Sequence, residues 1–134
     1  MESKIVTSGK RKRAIARAVL IGGSGKVKIN RIDYNTLHFF DKLKIEEPLR
    51  IAKNIIGNTD FDVNINVKGG GNKSQIEAAR LALARAIVKF SNSKDLIEAF
   101  LRYDRSLLVA DVRRKETYKP GDSKARRKRQ KSFR

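Results

Sequence analysis

The stretch from residue 61 to residue 90 reads FDVNINVKGGGNKSQIEAARLALARAIVKF. Its first eight residues alternate apolar and polar side chains, which predicts a β-strand with one buried and one solvent-facing side. Three glycines end the strand, and Ser74 with Glu77 has the spacing of a capping box that opens a helix over residues 75–90. This stretch therefore predicts a sheet with one covered face and one polar face.

The segments around this stretch predict a mixed α+β chain. Two β-compatible runs flank the sequence GGSG at residues 22–25, and this arrangement predicts a β-hairpin because glycine supplies the backbone freedom of a tight turn. Apolar spacing, Pro48 and a capping Ser93 predict the remaining elements. The hairpin strands lie at 14–21 and 26–30. The remaining elements are a short apolar-polar stretch at 5–8, helices at 33–43, 47–56 and 94–102, and a last strand at 107–109.

The bulk composition bounds the class of protein. A chain of 134 residues, 40% of them hydrophobic, has room for one compact domain of about 100 residues, and most apolar residues precede residue 113. The sequence has no Cys, which excludes disulfides and thiolate metal sites. No apolar run approaches the about 18 residues of a membrane span, and the first residues lack the apolar region of a signal peptide. We therefore expect a cytoplasmic protein.

Positive charge is concentrated at the end of the chain. Residues 124–134 read KARRKRQKSFR, with seven Lys or Arg and no acid. The last 22 residues hold eleven Lys or Arg against two acids, which is half of the formal net charge of +18. Because like charges at this density cannot pack in a core, we predict a globular domain over residues 1–112 and an extended basic tail over residues 113–134.

Three kinds of partner fit a chain this basic, namely nucleic acid, an anionic membrane or an acidic protein. The tail lacks the apolar face of a membrane-binding amphipathic helix, which disfavours the membrane. A second cluster, KRKR at residues 10–13, is either solvated surface, a localisation signal or a further contact on one long polyanion. Clusters near both ends of the chain favour the polyanion, and hence RNA or DNA.

The glycine-rich segments do not match a nucleotide-binding motif. A P-loop ends in Gly-Lys-Ser or Gly-Lys-Thr, and both Gly25-Lys26-Val27 and Asn72-Lys73-Ser74 break that pattern. The glycines at residues 69–71 would still let a phosphate approach the backbone at a helix N-terminus, with Lys73 beside it. They are equally consistent with a strand-to-helix turn that needs small residues.

The sequence offers no convincing catalytic constellation. His38 is the only His and stands beside two Phe residues, where we expect a packed role. Asp104 and Asp111 could suggest a metal pair, but salt bridges with the arginines at positions 102, 105 and 113 explain them more simply. We therefore expect no enzymatic activity, no cofactor, no metal site and no small-molecule substrate.

Taken in order, these segments resemble the family of ribosomal protein nine of the small subunit (the S-nine family). The resemblance covers nearly the whole chain, and its motifs are specific as an ordered set although each is weak alone. They are Gly9-Lys10-Arg11-Lys12-Arg13-Ala14-x-Ala16-Arg17, Gly23-x-Gly25-Lys26-x-x-Ile29-Asn30, Pro48-Leu49, Gly69-Gly70-Gly71-x-x-x-Gln75-x-x-Ala78, Arg85-Ala86-Ile87, Asp111-x-Arg113-x-x-Glu116 and Lys124-Ala125-Arg126-Arg127. The ending Ser132-Phe133-Arg134 is nearer the Ser-Tyr-Arg of archaeal and eukaryotic members than the Ser-Lys-Arg of bacterial ones, which predicts an archaeal-like source.

The resemblance implies a fold and a role that composition does not. The implied fold is a four-stranded mixed sheet with helices on one face, as in the second domain of ribosomal protein five of the small subunit, with a left-handed βαβ crossover. The implied role is that of a structural constituent of the small-subunit head. There it would lie among other head proteins, bind the 3′ domain of the rRNA and reach the anticodon stem-loop of peptidyl-site tRNA with its tail.

The resemblance and the charge pattern together give two sets of contact residues. The predicted rRNA contacts are Lys10, Arg11, Lys12, Arg13, Arg17, Gly69, Gly70, Gly71, Lys73, Arg113, Arg114, Lys115, Lys124, Arg126, Arg127, Lys128 and Arg129. The predicted tRNA contacts are Lys131, Ser132 and Arg134. Phosphate contacts carry no base specificity, which suits a grip on any tRNA. The alternative is a basic nucleoid protein that binds DNA, although the chain shows neither a groove-reading helix nor a dimer seam.

Overall fold

A computed structural model describes residues 3–118, in which a five-stranded mixed sheet of order β1-β2-β5-β3-β4 combines with three α-helices. The strands are β1 (Ile5–Arg11), β2 (Ala14–Gly22), β3 (Val27–Ile29), β4 (Ile32–Asp33) and β5 (Phe61–Lys68). The helices are α1 (Phe39–Ile56), α2 (Asn72–Ser91) and α3 (Lys94–Tyr103), with 3₁₀ turns at Tyr34–Thr36 and Arg105–Leu107. The α+β fold class is confirmed, and the sheet has five strands rather than four because the two-residue β4 extends one edge.

The predicted strand β5 lies inside the sheet rather than at its edge. Its four apolar side chains are buried on one face, and Asn64, Asn66 and Lys68 are exposed on the other. It pairs antiparallel with β2 along its whole length and parallel with β3. Parallel neighbours need a crossover connection, and α1 lies between β3 and β5 in the chain.

The hairpin predicted around GGSG is wrong, because β5 lies between β2 and β3. The loop instead wraps the start of β5, where the backbone N–H groups of Ser24 and Lys26 each donate to Asp62 Oδ1 at 3.0 Å. These hydrogen bonds, that of Lys26 foremost, hold the pKa of Asp62 below its usual value. A Cβ at Gly23 would lie 2.3 Å from the same carboxyl group, so the glycine is needed for this approach.

Two other hairpins build the sheet. β1 and β2 pair antiparallel across a turn at Lys12 and Arg13, so the predicted stretch at 5–8 continues as a strand to Arg11, halfway through the KRKR cluster. β3 and β4 pair across Asn30 and Arg31, whose φ angles of 50° and 68° are those of a tight primed turn.

The predicted helices at 33–43 and 47–56 are instead a 3₁₀ turn and the single helix α1, which continues through Pro48. Proline removes one helical hydrogen bond, but Pro48 is buried with Ile45 and Ala52, and this burial offsets the loss. His38 is exposed at the N-cap position of α1, so the packed role expected for it is wrong.

The capping box predicted at Ser74 and Glu77 is also wrong. α2 begins at Asn72 with Gly71 as its N-cap, and Ser74 lies within its first turn. Ser93 does cap α3, and its side chain accepts a hydrogen bond from the N–H of Leu96 at 3.3 Å. The last strand predicted at 107–109 is absent from the described residues, since Arg105–Leu107 forms a 3₁₀ turn there.

Small side chains bring α2 close to the sheet. Ala16 and Ala18 on β2 and Ala78 and Ala82 on α2 are fully buried, and Gly9 on β1 faces the same helix. α2 packs on β1, β2 and β5, while α1 packs against α2 and α3. The helices therefore cover one face of the sheet, as predicted, and leave the other face open.

Arg85 ties the edge of the sheet to the segment that follows α3. Its Nη1 donates to the carbonyl oxygen of Ser8 at 2.9 Å, and its Nε donates to that of Leu108 at 3.1 Å. Arg85 thus stabilises the edge strand β1 and orients the chain that leads towards the tail.

Candidate nucleic-acid interface

The KRKR cluster is divided by the pleat of β1 and the turn that follows. Lys10 is exposed on the open face of the sheet, Arg11 lies on the opposite side, and Lys12 and Arg13 form the hairpin turn. The turn requires a φ of 55° at Lys12, which lies in the left-handed region. Only part of the cluster can therefore face one ligand.

The glycine loop packs directly against this turn. Gly69 and Gly70 have φ angles of 78° and 66°, and a Cβ at Gly69 would lie 2.6 Å from the carbonyl oxygen of Arg13. A Cβ at Gly70 would lie 3.0 Å from the backbone N of Ala14. These two glycines are required by the turn itself, whereas a Cβ at Gly71 would meet nothing within 4 Å.

Asp111 brings the start of the predicted tail to the same place. Its carboxylate accepts hydrogen bonds from the backbone N–H of Arg113 at 2.9 Å and from Arg113 Nη2 at 2.7 Å, and it also contacts Arg11 Nη1. The hydrogen bonds from the Arg113 side chain, followed by that from its backbone and the contact with Arg11, hold the pKa of Asp111 well below its usual range. The salt bridge predicted between Asp111 and Arg113 is confirmed.

The hairpin turn, the glycines after β5 and the segment after Asp111 enclose one concave depression with a volume of about 920 Å³, which we call the cationic depression. Its lining consists of Arg11, Lys12, Arg13, Gly70, Gly71, Ser74, Arg113, Arg114 and Lys115. Six of these nine residues are cationic and none is acidic. Residues about a hundred positions apart in the sequence thus form one positive site beside the N-terminus of α2.

The cations of the cationic depression are not equally free. Arg11 bonds Glu77 at 2.7 Å as well as Asp111, so its charge is compensated within the fold. Lys12 and Arg13 form no ion pair with any of the residues 3–118. The charges of the two turn residues are therefore available to an anionic ligand.

A neighbouring depression is balanced in charge. Arg80 Nη2 lies 2.5 Å from Glu47 Oε2 and 3.3 Å from Asp104 Oδ2, which links α2 to α1 and to the residue after α3. Lys44 adds a bond of 3.5 Å to Glu77. The sequence had predicted that Asp104 pairs with the arginines at 102 or 105. Asp104 pairs with Arg80 instead. This network stabilises the helix layer and leaves little net charge for a ligand.

Other predicted contacts lie elsewhere or outside the described residues. Lys10 and Arg17 project from the open face, and Lys73 lies in the first turn of α2. The contacts predicted at Lys124, Arg126, Arg127, Lys128, Arg129, Lys131, Ser132 and Arg134 lie outside residues 3–118. Sequence reasoning missed two open-face cations, Lys28 and Lys68, although the alternation of β5 already placed Lys68 on the polar face.

Comparison with known proteins gives a consistent result. No helix within residues 3–118 is long and apolar enough to cross a membrane. Residues 9–134 match the family described as ribosomal protein S9/S16. The protein called small ribosomal subunit protein uS9 in Methanococcus vannielii is 48% identical over 131 residues, with 96% of each chain covered, and one of the same name in Methanococcus maripaludis is 49% identical with the same coverage. The Methanococcus relatives agree with the archaeal-like source predicted from the C-terminal residues Ser132-Phe133-Arg134. The chain belongs to the ribosomal protein S9/S16 family.

Proposed function

We propose that this chain is a structural component of the small ribosomal subunit, where it binds the 3′ (head) domain of the rRNA in the cytoplasm. Family membership and the relatives named as small-subunit proteins support this role over that of a nucleoid protein. In the proposed arrangement, residues 1–112 form the globular RNA-binding part, and residues 113–134 form a basic tail that reaches peptidyl-site tRNA. Other proteins of the subunit head are its neighbours.

The observation that carries this proposal is the cationic depression. It presents six Lys or Arg side chains and no acid over one concave surface. Arginine offers a planar fork that matches a phosphate, and lysine offers a mobile point charge, so a mixed set of this kind fits an irregular RNA backbone. Such contacts supply affinity and register rather than base specificity.

The position of the first tail residues supports the proposal that the tail contacts rRNA before it reaches tRNA. Asp111 fixes Arg113 at the rim of the cationic depression, and Arg114 Nη1 donates to the carbonyl oxygen of Asp111 at 3.1 Å. The tail therefore begins at the proposed rRNA site. We propose that the residues from Lys124 to Arg129 follow the rRNA and that Lys131, Ser132 and Arg134 contact the tRNA backbone.

The first prediction concerns the cationic depression. Changing Lys12, Arg13 and Lys115 to Gln should weaken binding to small-subunit rRNA and lower the slope of log association constant against log salt by about three, one for each lost phosphate contact. Incorporation into small subunits, measured by sedimentation of reconstituted particles, should fall in parallel.

The matched control removes the same charges from the helix layer. Lys53, Lys94 and Arg102 are exposed on α1 and α3, and their replacement by Gln should leave the salt slope and incorporation close to those of the unaltered chain. If both triple variants bind and incorporate equally, the depression is ordinary surface. Migration of the unaltered chain with the nucleoid rather than with small subunits would contradict the ribosomal role itself.

The second prediction concerns the tail. Removing residues 132–134 should leave the melting temperature and incorporation unchanged but speed the dissociation of tRNA from the peptidyl site, because a terminal phosphate contact is lost. Arg129→Gln removes a charge assigned to rRNA and should leave that dissociation rate unchanged. Truncated subunits that hold tRNA for as long as complete ones would overturn the tRNA role.

A further inference from the structure

The face of the sheet opposite the helices carries no covering element in residues 3–118. Strand pairing arranges its side chains in rows across the sheet. Lys10, Ile15 and Lys68 form one row, and Ser8, Arg17 and Asn66 form the next. Val6, Val19, Asn64, Lys28 and Asp33 form a third. We call this surface the open face.

The open face is cationic and its charges are not neutralised by the fold. Lys10, Arg17, Lys28 and Lys68 form no ion pair with any of the described residues. Two acids share this side of the sheet: Asp33, the cross-strand partner of Lys28, which accepts from the N–H of Asn35 at 3.0 Å, and Asp62, which accepts from the backbone of the GGSG loop. Neither forms an ion pair with these four cations. An anion that approached this face would therefore meet cations that have no competing partner.

The same face offers free hydrogen-bonding groups. Asn64 and Asn66 are exposed, and within residues 3–118 their side chains make no hydrogen bonds. The hydroxyl of Ser8 is also free on the neighbouring row. An amide both donates and accepts, so these groups can pair with a ribose 2′-hydroxyl, which does the same.

The shape and composition of the open face distinguish among classes of partner. None of its rows contains an aromatic residue, so it offers no platform on which single-stranded bases could stack. Lysine is depleted in protein interfaces, where aromatic residues and Met are enriched. Lys10 and Lys68 stand two strands apart, about 10 Å between their Cα atoms, so the cations are spread over a broad surface rather than lining a narrow channel.

We propose that the open face binds double-stranded RNA across its shallow minor groove, with Lys10, Arg17, Lys28 and Lys68 on phosphates and Asn64 and Asn66 on 2′-hydroxyls. This inference rests on the proposed rRNA-binding role and names a second RNA surface for it. A-form duplexes present their 2′-hydroxyls in a wide minor groove, which suits a surface without stacking groups. The row of Lys10 and Lys68 lies directly beside the hairpin turn and Gly69, so the open face adjoins the cationic depression.

The test uses the full chain with an RNA duplex of roughly 16 base pairs and the DNA duplex of the same sequence. Arg17→Gln with Lys68→Gln should lower the salt slope for the RNA duplex by about two. The matched variant Arg102→Gln with Lys53→Gln removes the same charges from the helix layer and should not. Asn64→Ala with Asn66→Ala should keep the slope and reduce the preference for RNA over DNA by about tenfold.

Thermal unfolding of each variant checks that its fold is retained. The inference is overturned if the open-face charge variant matches its helix-layer control, or if the amide variant keeps the full preference for RNA. The variant with Lys12, Arg13 and Lys115 changed to Gln is measured beside them. If that variant loses rRNA binding and incorporation while the open-face variants do not, the inference fails alone and the proposed function stands.

Discussion

Replacement of Gly9 by alanine is expected to lower the free energy of unfolding by about 3 kcal/mol and the melting temperature by on the order of 10 °C. Gly9 lies on the helix-facing side of β1. A Cβ there would stand 2.4 Å from the carbonyl oxygen of Ala78 and 2.8 Å from the backbone N of Ala82. Both atoms belong to the backbone of α2, which cannot rotate away as a side chain could, so the helix and the strand would have to separate.

The control for this change is Gly22→Ala. Gly22 also lies in the sheet, at the end of β2, but no atom lies within 4 Å of its added Cβ. Urea and thermal unfolding should place this variant within a few tenths of a kcal/mol of the unaltered chain. A Gly9 variant as stable as the Gly22 variant would show that α2 can shift at no cost. The close approach of β1 to α2 at Gly9 would then not be required for stability.

Replacement of Gly69 by serine is expected to cost about 2–3 kcal/mol and to weaken rRNA binding as well. Its φ of 78° is unfavourable for any residue with a Cβ, by roughly 1–2 kcal/mol. The added Cβ would also lie 2.6 Å from the carbonyl oxygen of Arg13, so the hairpin turn would be displaced together with its two unpaired cations. Stability and RNA affinity should therefore fall together.

Gly71→Ser separates these effects from a general intolerance of the loop. Gly71 is the N-cap of α2 with φ −97° and ψ 173°, an extended conformation that serine adopts readily, and no atom lies within 4 Å of its Cβ. Serine is a favoured N-cap residue, so this variant should be as stable as the unaltered chain or slightly more so. Equal unfolding midpoints and rRNA affinities for the two serine variants would contradict the structural role of Gly69.

Side-chain alternation and helix capping correctly predicted individual strands and helix starts. The alternation of residues 61–68 was sufficient to predict β5 and its polar face, and Ser93 was sufficient to predict the start of α3. Two predictions failed because a distant group decided the outcome. Asp62 draws the GGSG loop around the start of β5, and Arg11 engages Glu77 of the predicted capping box.

The candidate site divides in the same way. The basic clusters and the glycine loop were identified from charge and composition, but their meeting in one depression was not. It follows from the pairing of β2 with β5, which brings Ile15 opposite Lys68, and from Asp111, which holds Arg113 near Arg11. Contacts between residues some hundred positions apart leave no periodic signal in the sequence.

The stretch at residues 61–90 by itself determined the central strand, the long helix after it and the α+β class, because side-chain periodicity reports which face of an element is buried. The sequence also determined the charge and the family. Only the tertiary structure decided the strand order, the assembly of the cationic depression and the open face. Strand pairing and close helix packing depend on groups that meet only after the chain has folded, and β5 is the strand to which both halves of the sheet pair.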